Sequence, residues 1–193
     1  MSESKIWFCA DTHFNHANIL KYCPGREKLG STIEEMNVEL IRRWNAVVAD
    51  EDTVFFLGDF AFERKGLPCF DELLARLNGT LILIAGNHDK KRNDRFFSNV
   101  VRPGMVLELD GTLIELVHNP RAATGSGDIA FCGHVHQNWS TLTKGVVLPA
   151  YRVGGKKRPA FKAPCSIYNV GVDVRGFKPR SFREIVEPKL PSR

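Results

Sequence analysis

Short runs of mostly apolar residues recur along the chain, and each stops abruptly at polar or ionisable residues. Ile6-Trp7-Phe8-Cys9 leads through Ala10 to Asp11-Thr12-His13. Val54–Leu57 leads to Gly58-Asp59, and Leu81–Ala85 to Gly86-Asn87-His88-Asp89. Leu113–Val117 ends at His118-Asn119, and Ile129–Cys132 at Gly133-His134-Val135-His136. Runs this short and this apolar predict strands buried on both faces. The first strand spans residues 5–10, the second Thr53–Leu57 and the third Thr80–Ala85. Between the first two, Ile33, Met36, Leu40, Ile41, Trp44, Val47 and Val48 recur at helical spacing. That helix starts near Ser31 or Thr32, carries Glu34 and Glu35 in its first turn, and ends near Ala49. A second helix is predicted over Leu67–Asn78, with Pro68 near its start and Gly79 as its C-cap. The order β-α-β-α-β implies parallel strands joined by right-handed crossovers.

The pattern then changes. Residues 11–31 read as a long polar turn and Asn93–Asn99 as a short helical one. Met105–Leu109 and Thr112–Val117 flank Asp110-Gly111, a strong hairpin signal. Ile129–Cys132, Ser166–Val170 and Val172–Val174 are further strands, and Ser181–Glu187 is a helical turn stopped by Pro188. Parallel units followed by hairpins predict an α/β fold of two mixed sheets packed face to face, with helices outside. No repeat or linker divides the chain, so residues 1–193 form one domain. Residues 141–164 stand apart. They hold Lys144, Arg152, Lys156, Lys157, Arg158 and Lys162, three prolines and no acidic residue. This segment reads as a long, mobile, basic loop: solvated, a lid over an anionic substrate, or a nucleic-acid contact.

Charge and cysteine usage narrow the setting. The formal net charge of +5 suits an anionic partner or substrate. Five cysteines are odd in number and no C-x-x-C occurs, which points to a reducing compartment and against a disulfide framework. The first residues lack a secretory apolar stretch, and no run approaches the roughly 18 apolar residues of a membrane span. A soluble, cytoplasmic protein is expected.

Chemistry enters with the histidines. Five of the six lie in the strand-end motifs, and His16 follows His13 by three residues. Scattered structural histidines would not sort this way. The ordered set D-x-H (Asp11, His13), G-D (Asp59), G-N-H-D (residues 86–89), His118 and G-H-x-H (His134, His136) resembles the metallophosphoesterases of the calcineurin-like superfamily. Asp11-Thr12-His13-Phe14-Asn15-His16, with Asn169-Val170-Gly171-Val172-Asp173 downstream, looks like a bacterial or phage subgroup of small phosphoesterases.

The resemblance implies a four-layer αββα sandwich and a dinuclear centre. Asp11, His13 and His136 would hold one divalent ion. Asn87, His118 and His134 would hold the other, and Asp59 would bridge both. Imidazole and oxygen donors suit manganese first, then iron, zinc or nickel. The ions would activate a water for in-line attack on phosphorus. His88, which is not a ligand in the family, would protonate the leaving oxygen or bond the transition state. Asp89 would support His88, or pair locally with Lys90, Lys91 or Arg92. His16 and Arg121 are candidates for substrate phosphate, against a turn cap and a surface arginine. Asn169 and Asp173 would back up the site or serve structure alone. Phe60-Ala61-Phe62 after Asp59 puts aromatic bulk where many relatives have polar residues.

The expected function is therefore metal-dependent phosphoester hydrolysis with phosphodiesters favoured. A phosphorylated small molecule, a nucleotide or a nucleic acid would be the substrate. A nucleic-acid-binding protein or nuclease using residues 141–164, or a non-catalytic scaffold of the same fold, are the alternatives.

Overall fold

A computed structural model of the chain describes residues 4–153 and 155–187. Strand β1 (Ile6–Cys9) is followed by the short helix α1 (Ile19–Tyr22), the main helix α2 (Ile33–Asn45), β2 (Thr53–Phe56), α3 (Phe70–Leu74), β3 (Thr80–Ile84) and β4 (Asn99–Val101). Next come the hairpin β5 (Gly104–Leu109) and β6 (Thr112–Val117), then β7 (Ile129–Cys132) and β8 (Thr141–Leu142). The short strands β9 (Val147–Leu148), β10 (Tyr151–Val153), β11 (Lys156–Arg158) and β12 (Phe161–Lys162) lead to β13 (Ser166–Asn169), β14 (Arg180–Ser181) and α4 (Phe182–Val186).

Two five-stranded mixed sheets result, ordered β14-β1-β2-β3-β4 and β5-β6-β7-β13-β8. Strands β1 to β4 run parallel, as do β6, β7 and β13. Alternation along each strand divides the apolar residues between two layers. Phe8, Phe55, Leu57 and Ile84 of the first sheet pack on Ile114, Leu116 and Phe131 of the second. Trp7, Cys9, Val54, Phe56, Leu81 and Leu83 point the other way, onto Met36, Leu40, Ile41 and Trp44 of α2 and Phe70 and Leu73 of α3. Burial on both faces explains why the runs are continuous rather than alternating. Helices α2 and α3 cover the outer face of the first sheet. On the far face of the second sheet, Val117, Ala130, Cys132 and Ile167 are covered by Ala123, Ala163 and Cys165, with Leu148 and Phe161 packed against them.

Helix α2 begins at Thr32, whose hydroxyl accepts the Glu35 N–H while Glu35 accepts the Thr32 N–H. The Asp110-Gly111 turn closes β5 on β6 with both residues at positive φ. Other expectations need correction. The helix placed over 67–78 stops at Leu74, because Arg76 and Leu77 bond three residues back and tighten its end into turns. Val172–Val174 is a 3₁₀ turn, not a strand. Residues 11–31 contain α1 and a 3₁₀ helix at Pro24–Leu29, with Ile19, Cys23, Arg26 and Leu29 buried. Residues 141–164 are a folded arm rather than a structureless loop: β9 pairs with β12, and β10 with β11. Pro188 lies outside the described residues. Among those described, no helix is long and apolar enough to cross a membrane.

Candidate metal centre

Every motif lies just past the carboxyl end of a parallel strand, and short hydrogen bonds zip these ends together. Asp11 N–H donates to Gly58 O at 3.0 Å and His13 N–H to Asp59 O at 3.1 Å, joining the ends of β1 and β2. Gly133 N–H donates to His118 O at 3.0 Å, joining β6 to β7, and Val172 N–H donates to Ala10 O at 3.0 Å, joining the two sheets. Space is minimal at these junctions. A Cβ on Gly58 (φ +87°) would fall 2.5 Å from Gly86 N, and one on Gly86 would fall 2.3 Å from Asp59 Oδ1.

The backbone itself is unusual here. Asp11, His13, Asp59, His134 and His136 all have φ between 47° and 73°. Non-glycine residues in this left-handed region cost on the order of 1 kcal/mol each and persist only where the surroundings impose them. Asp89 is one imposing group. Its carboxylate accepts the N–H groups of Gly86 (2.7 Å), Asp59 (2.8 Å) and Phe60 (3.1 Å). It pins the turn after β2 to the turn after β3, with no hydrogen bond to the His88 ring or to Lys90, Lys91 or Arg92 among the described residues.

Of three candidate donor sets among the described residues, two are built wholly from these motifs. Donor atoms of Asp11, His13 and His136 lie within 4.8 Å of one another, and so do those of Asp59, His118 and His134. Asp59 sits between the sets: its Oδ2 is 3.6 Å from His13 Nε2 and 3.4 Å from His118 Nε2. Asn87 joins the second set through Oδ1, 3.1 Å from His118 Nε2. Nδ1 of His118 faces Leu57 O at 2.7 Å, and Nδ1 of His136 faces Asp173 Oδ2 at 2.9 Å, which leaves Nε2 of each ring as the atom that could ligate a metal.

The donor set fits divalent ions on a further ground. His13 is only 2% exposed, yet neither ring nitrogen has a hydrogen-bond partner. Buried polar atoms are ordinarily paired. Burial pushes the His13 pKa down to about 2 and that of His134 to about 4, keeping both rings neutral with a lone pair available. The other two imidazoles go the opposite way. Burial resists their charge, but Asp59 and Asp11 raise His118 to about 9, and Asp173 raises His136 to about 10. Burial also lifts Asp11 to about 7. Metal-free protein thus carries protons that ligation must expel, so affinity should rise with pH and fall on acidification. At pH 7, loading should release about two and a half protons, one each from His118 and His136 and about half from Asp11. Calorimetric titration in buffers of different ionisation enthalpy measures this, and a heat independent of buffer would contradict it.

Arg26 and Asp173 complete the support. The Arg26 guanidinium is fully buried and donates to Asp173 Oδ1 (2.7 Å) and Oδ2 (2.9 Å), Thr12 O (2.8 Å) and Asp11 O (2.6 Å). It thereby fixes both the Asp11 turn and the carboxylate that orients His136. Asn169 backs the same corner, donating to His136 O and Trp139 O. The sequence offered no signal for Arg26, which stands in an apparently polar turn.

The remaining candidates sit at the rim. His88 is exposed, with its N–H on Asp59 Oδ1 at 2.9 Å and its ring Nε2 4.0 Å from Asp59 Oδ2. His16 stacks on Phe62 with centroids 4.3 Å apart, and burial lowers its pKa. Phe60 is wholly in the core, so only Phe62 brings aromatic bulk to the site. Arg121 spends its guanidinium on the arm, donating to Pro149 O and Pro159 O, while still lining a recess beside His134.

Comparison with known proteins agrees with this geometry. The model of the calcineurin-like phosphoesterase superfamily domain matches residues 5–168. An uncharacterized protein of Methanocaldococcus jannaschii is 37% identical over 187 residues, 97% of this chain and 92% of its own. The gene 66 protein of Mycobacterium phage L5 is 32% identical over 87 residues, 45% of this chain and 40% of its own. A protein of unknown function from Aquifex aeolicus shares the fold, with a TM-score of 0.69 at 23% identity over 95% of this chain and 98% of its own. With matched family residues running from β1 into β13 and converging on one carboxylate–imidazole cluster, the chain belongs to the calcineurin-like phosphoesterase superfamily.

Proposed function

We propose that the protein hydrolyses phosphodiesters, in preference to monoesters, at a pair of divalent ions, with manganese the favoured metal. The observation that carries this reading is the placement of Asp59 between two carboxylate–imidazole sets, one of which contains the partnerless ring of His13. Asp11, His13 and His136 would hold one ion, Asn87, His118 and His134 the other, and Asp59 both. Bound there, the ions would lower the pKa of a water for attack on phosphorus and neutralise charge on the phosphoryl oxygens.

The chain's own residues do the rest. Asp89 holds the Asp59 and Asn87 turns at a fixed separation, so the ligands need no rearrangement. His88, beside Asp59 and open to solvent, is placed to give a proton to the departing oxygen. Two recesses adjoin the ligands. One, about 330 Å³, is lined by Phe62, Asn87, His88 and Arg92; the other, about 270 Å³, by His134, Asn138, Arg121 and Tyr151. A phosphodiester carries two substituents and could seat one in each, whereas a monoester uses only one; this supports the diester preference.

The test is a comparison of bis(p-nitrophenyl) phosphate with p-nitrophenyl phosphate on manganese-loaded protein. A higher kcat/KM for the diester is expected, and inactivity on both would refute the reading. His88→Ala should keep both ions and slow turnover about 100-fold on a diester with a poor leaving group. The loss should shrink when p-nitrophenolate leaves, since that group needs no proton. Full activity of His88→Ala on the poor leaving group would remove the acid role.

A further inference from the structure

We propose that the β10–β11 hairpin and the recess beside His134 bind a single-stranded nucleic acid, so that the ester presented to the metal centre belongs to an oligonucleotide. The proposal rests on the phosphoesterase reading and narrows its substrate. Charge is the first observation. Residues 141–164 hold six lysines and arginines and no acidic residue. All six are exposed, and among the described residues none joins an ion pair, although arginines elsewhere do so repeatedly.

Register is the second observation. Arg152 lies directly opposite Lys157, an arrangement of like charges that weakens a strand pair. That pair lies on the face opposite Tyr151 and Arg158 and takes no part in the proposed surface. Tyr151 lies opposite Arg158, and Lys156 shares their face by the two-residue period. Tyr151 also lines the recess that contains His134. One face of the hairpin therefore runs from the ligand set, past Tyr151, to Arg158 and Lys156.

The arm is held in this position by Arg121. It donates to Pro149 O at 2.8 Å and Pro159 O at 2.7 Å, and its guanidinium lies 4.9 Å from the Tyr151 ring centroid. Tyr151 remains 43% exposed, a ring on which an unpaired base can stack. Cations tracking a backbone beside an aromatic platform suit single strands, whereas the bases of a duplex are already stacked on one another.

Fluorescence anisotropy tests this, with the metal-loaded full chain and a labelled single strand of about 12 phosphorothioate-linked nucleotides, which resists hydrolysis. Affinity should fall with salt between about 50 and 200 mM. K156A/R158A should bind at least about 10-fold more weakly and reduce the log–log salt slope by about 1.4, or 0.7 per lost phosphate contact. Y151A should weaken binding about 10-fold and leave the slope unchanged. R152A/K157A, on the other face, should leave the slope near that of the unaltered protein. An unchanged slope in K156A/R158A, equal losses in the two double variants, or equal affinity for a duplex would overturn the proposal. Failure of the phosphoesterase reading appears separately, as inactivity on bis(p-nitrophenyl) phosphate, because no turnover enters the binding measurement.

Discussion

Asp59→Asn is expected to lower phosphodiester hydrolysis about 1,000-fold or more, because in the proposed mechanism several kcal/mol of charge stabilisation depends on ions that this carboxylate would anchor. Three observations single out Asp59. It faces His13 and His118 at 3.6 and 3.4 Å, its backbone is held at φ 60°, and its Oδ1 accepts the His88 N–H. Burial alone would raise its pKa, but His118 and His13 hold the carboxyl well below the usual range, so it is ionised at any working pH. Asparagine keeps the shape and the Oδ1 contact and removes the charge. Folding should survive, since the Asp89 bonds use the Asp59 backbone. Manganese stoichiometry should fall toward one or zero ions per chain. An Asp59→Asn protein that retained two ions and most of its activity would show that the carboxylate is not shared.

Arg26→Met should destabilise the protein by about 3–5 kcal/mol, because it leaves the Asp173 carboxylate buried without its main cation and strips two backbone carbonyls of a donor. For a chain of this length that corresponds to a fall in Tm of about 10 °C. Metal affinity should drop about 10- to 100-fold as the Asp173 carboxylate that orients His136 loses its anchor. The pH dependence has a definite sign. Against burial, His136 and Arg26 depress the Asp173 pKa to about 2, below that of an unfolded aspartate. The stabilisation is therefore complete above about pH 4 and is lost as pH falls toward 2. Arg26→Met should lose the Arg26 share of this acid-sensitive part and keep that of His136. Adding Asp173→Asn to Arg26→Met should recover part of the stability, since a buried carboxylate is removed, but not the metal affinity. Thermal melts with parallel metal titrations separate the two effects. Equal recovery of both would mean that the pair serves the fold and not the site.

The central strands of both sheets are legible because double-sided burial demands unbroken apolar runs, and Ile6–Cys9, Thr53–Phe56 and Ile129–Cys132 supply them, whereas Asn99–Val101, Thr141–Leu142 and Arg180–Ser181 are too short to show a pattern. The two ligand sets were legible as residue types at strand ends. Their backbone was not: aspartate and histidine tolerate the left-handed region better than most residues, but only the zipped turns impose it. Arg26 was invisible because its partner Asp173 is 147 positions away. The valines of Val172–Val174 suggested a strand, but Val172 N–H is taken by Ala10 O and the chain then turns, which aims Asp173 at His136. In the sequence the arm resembles a loop, because strands of two or three residues are too short to show alternation. Asp89 looked like a partner for His88 from its adjacency, whereas three backbone N–H groups claim its carboxylate.

The most direct measurement is anomalous diffraction from crystals grown with manganese. The account predicts two peaks about 3.5–4 Å apart, both within bonding distance of the Asp59 carboxylate. One peak should contact Asp11, His13 and His136, and the other Asn87, His118 and His134. A single ion, or two ions with Asp59 bound to only one of them, would contradict it.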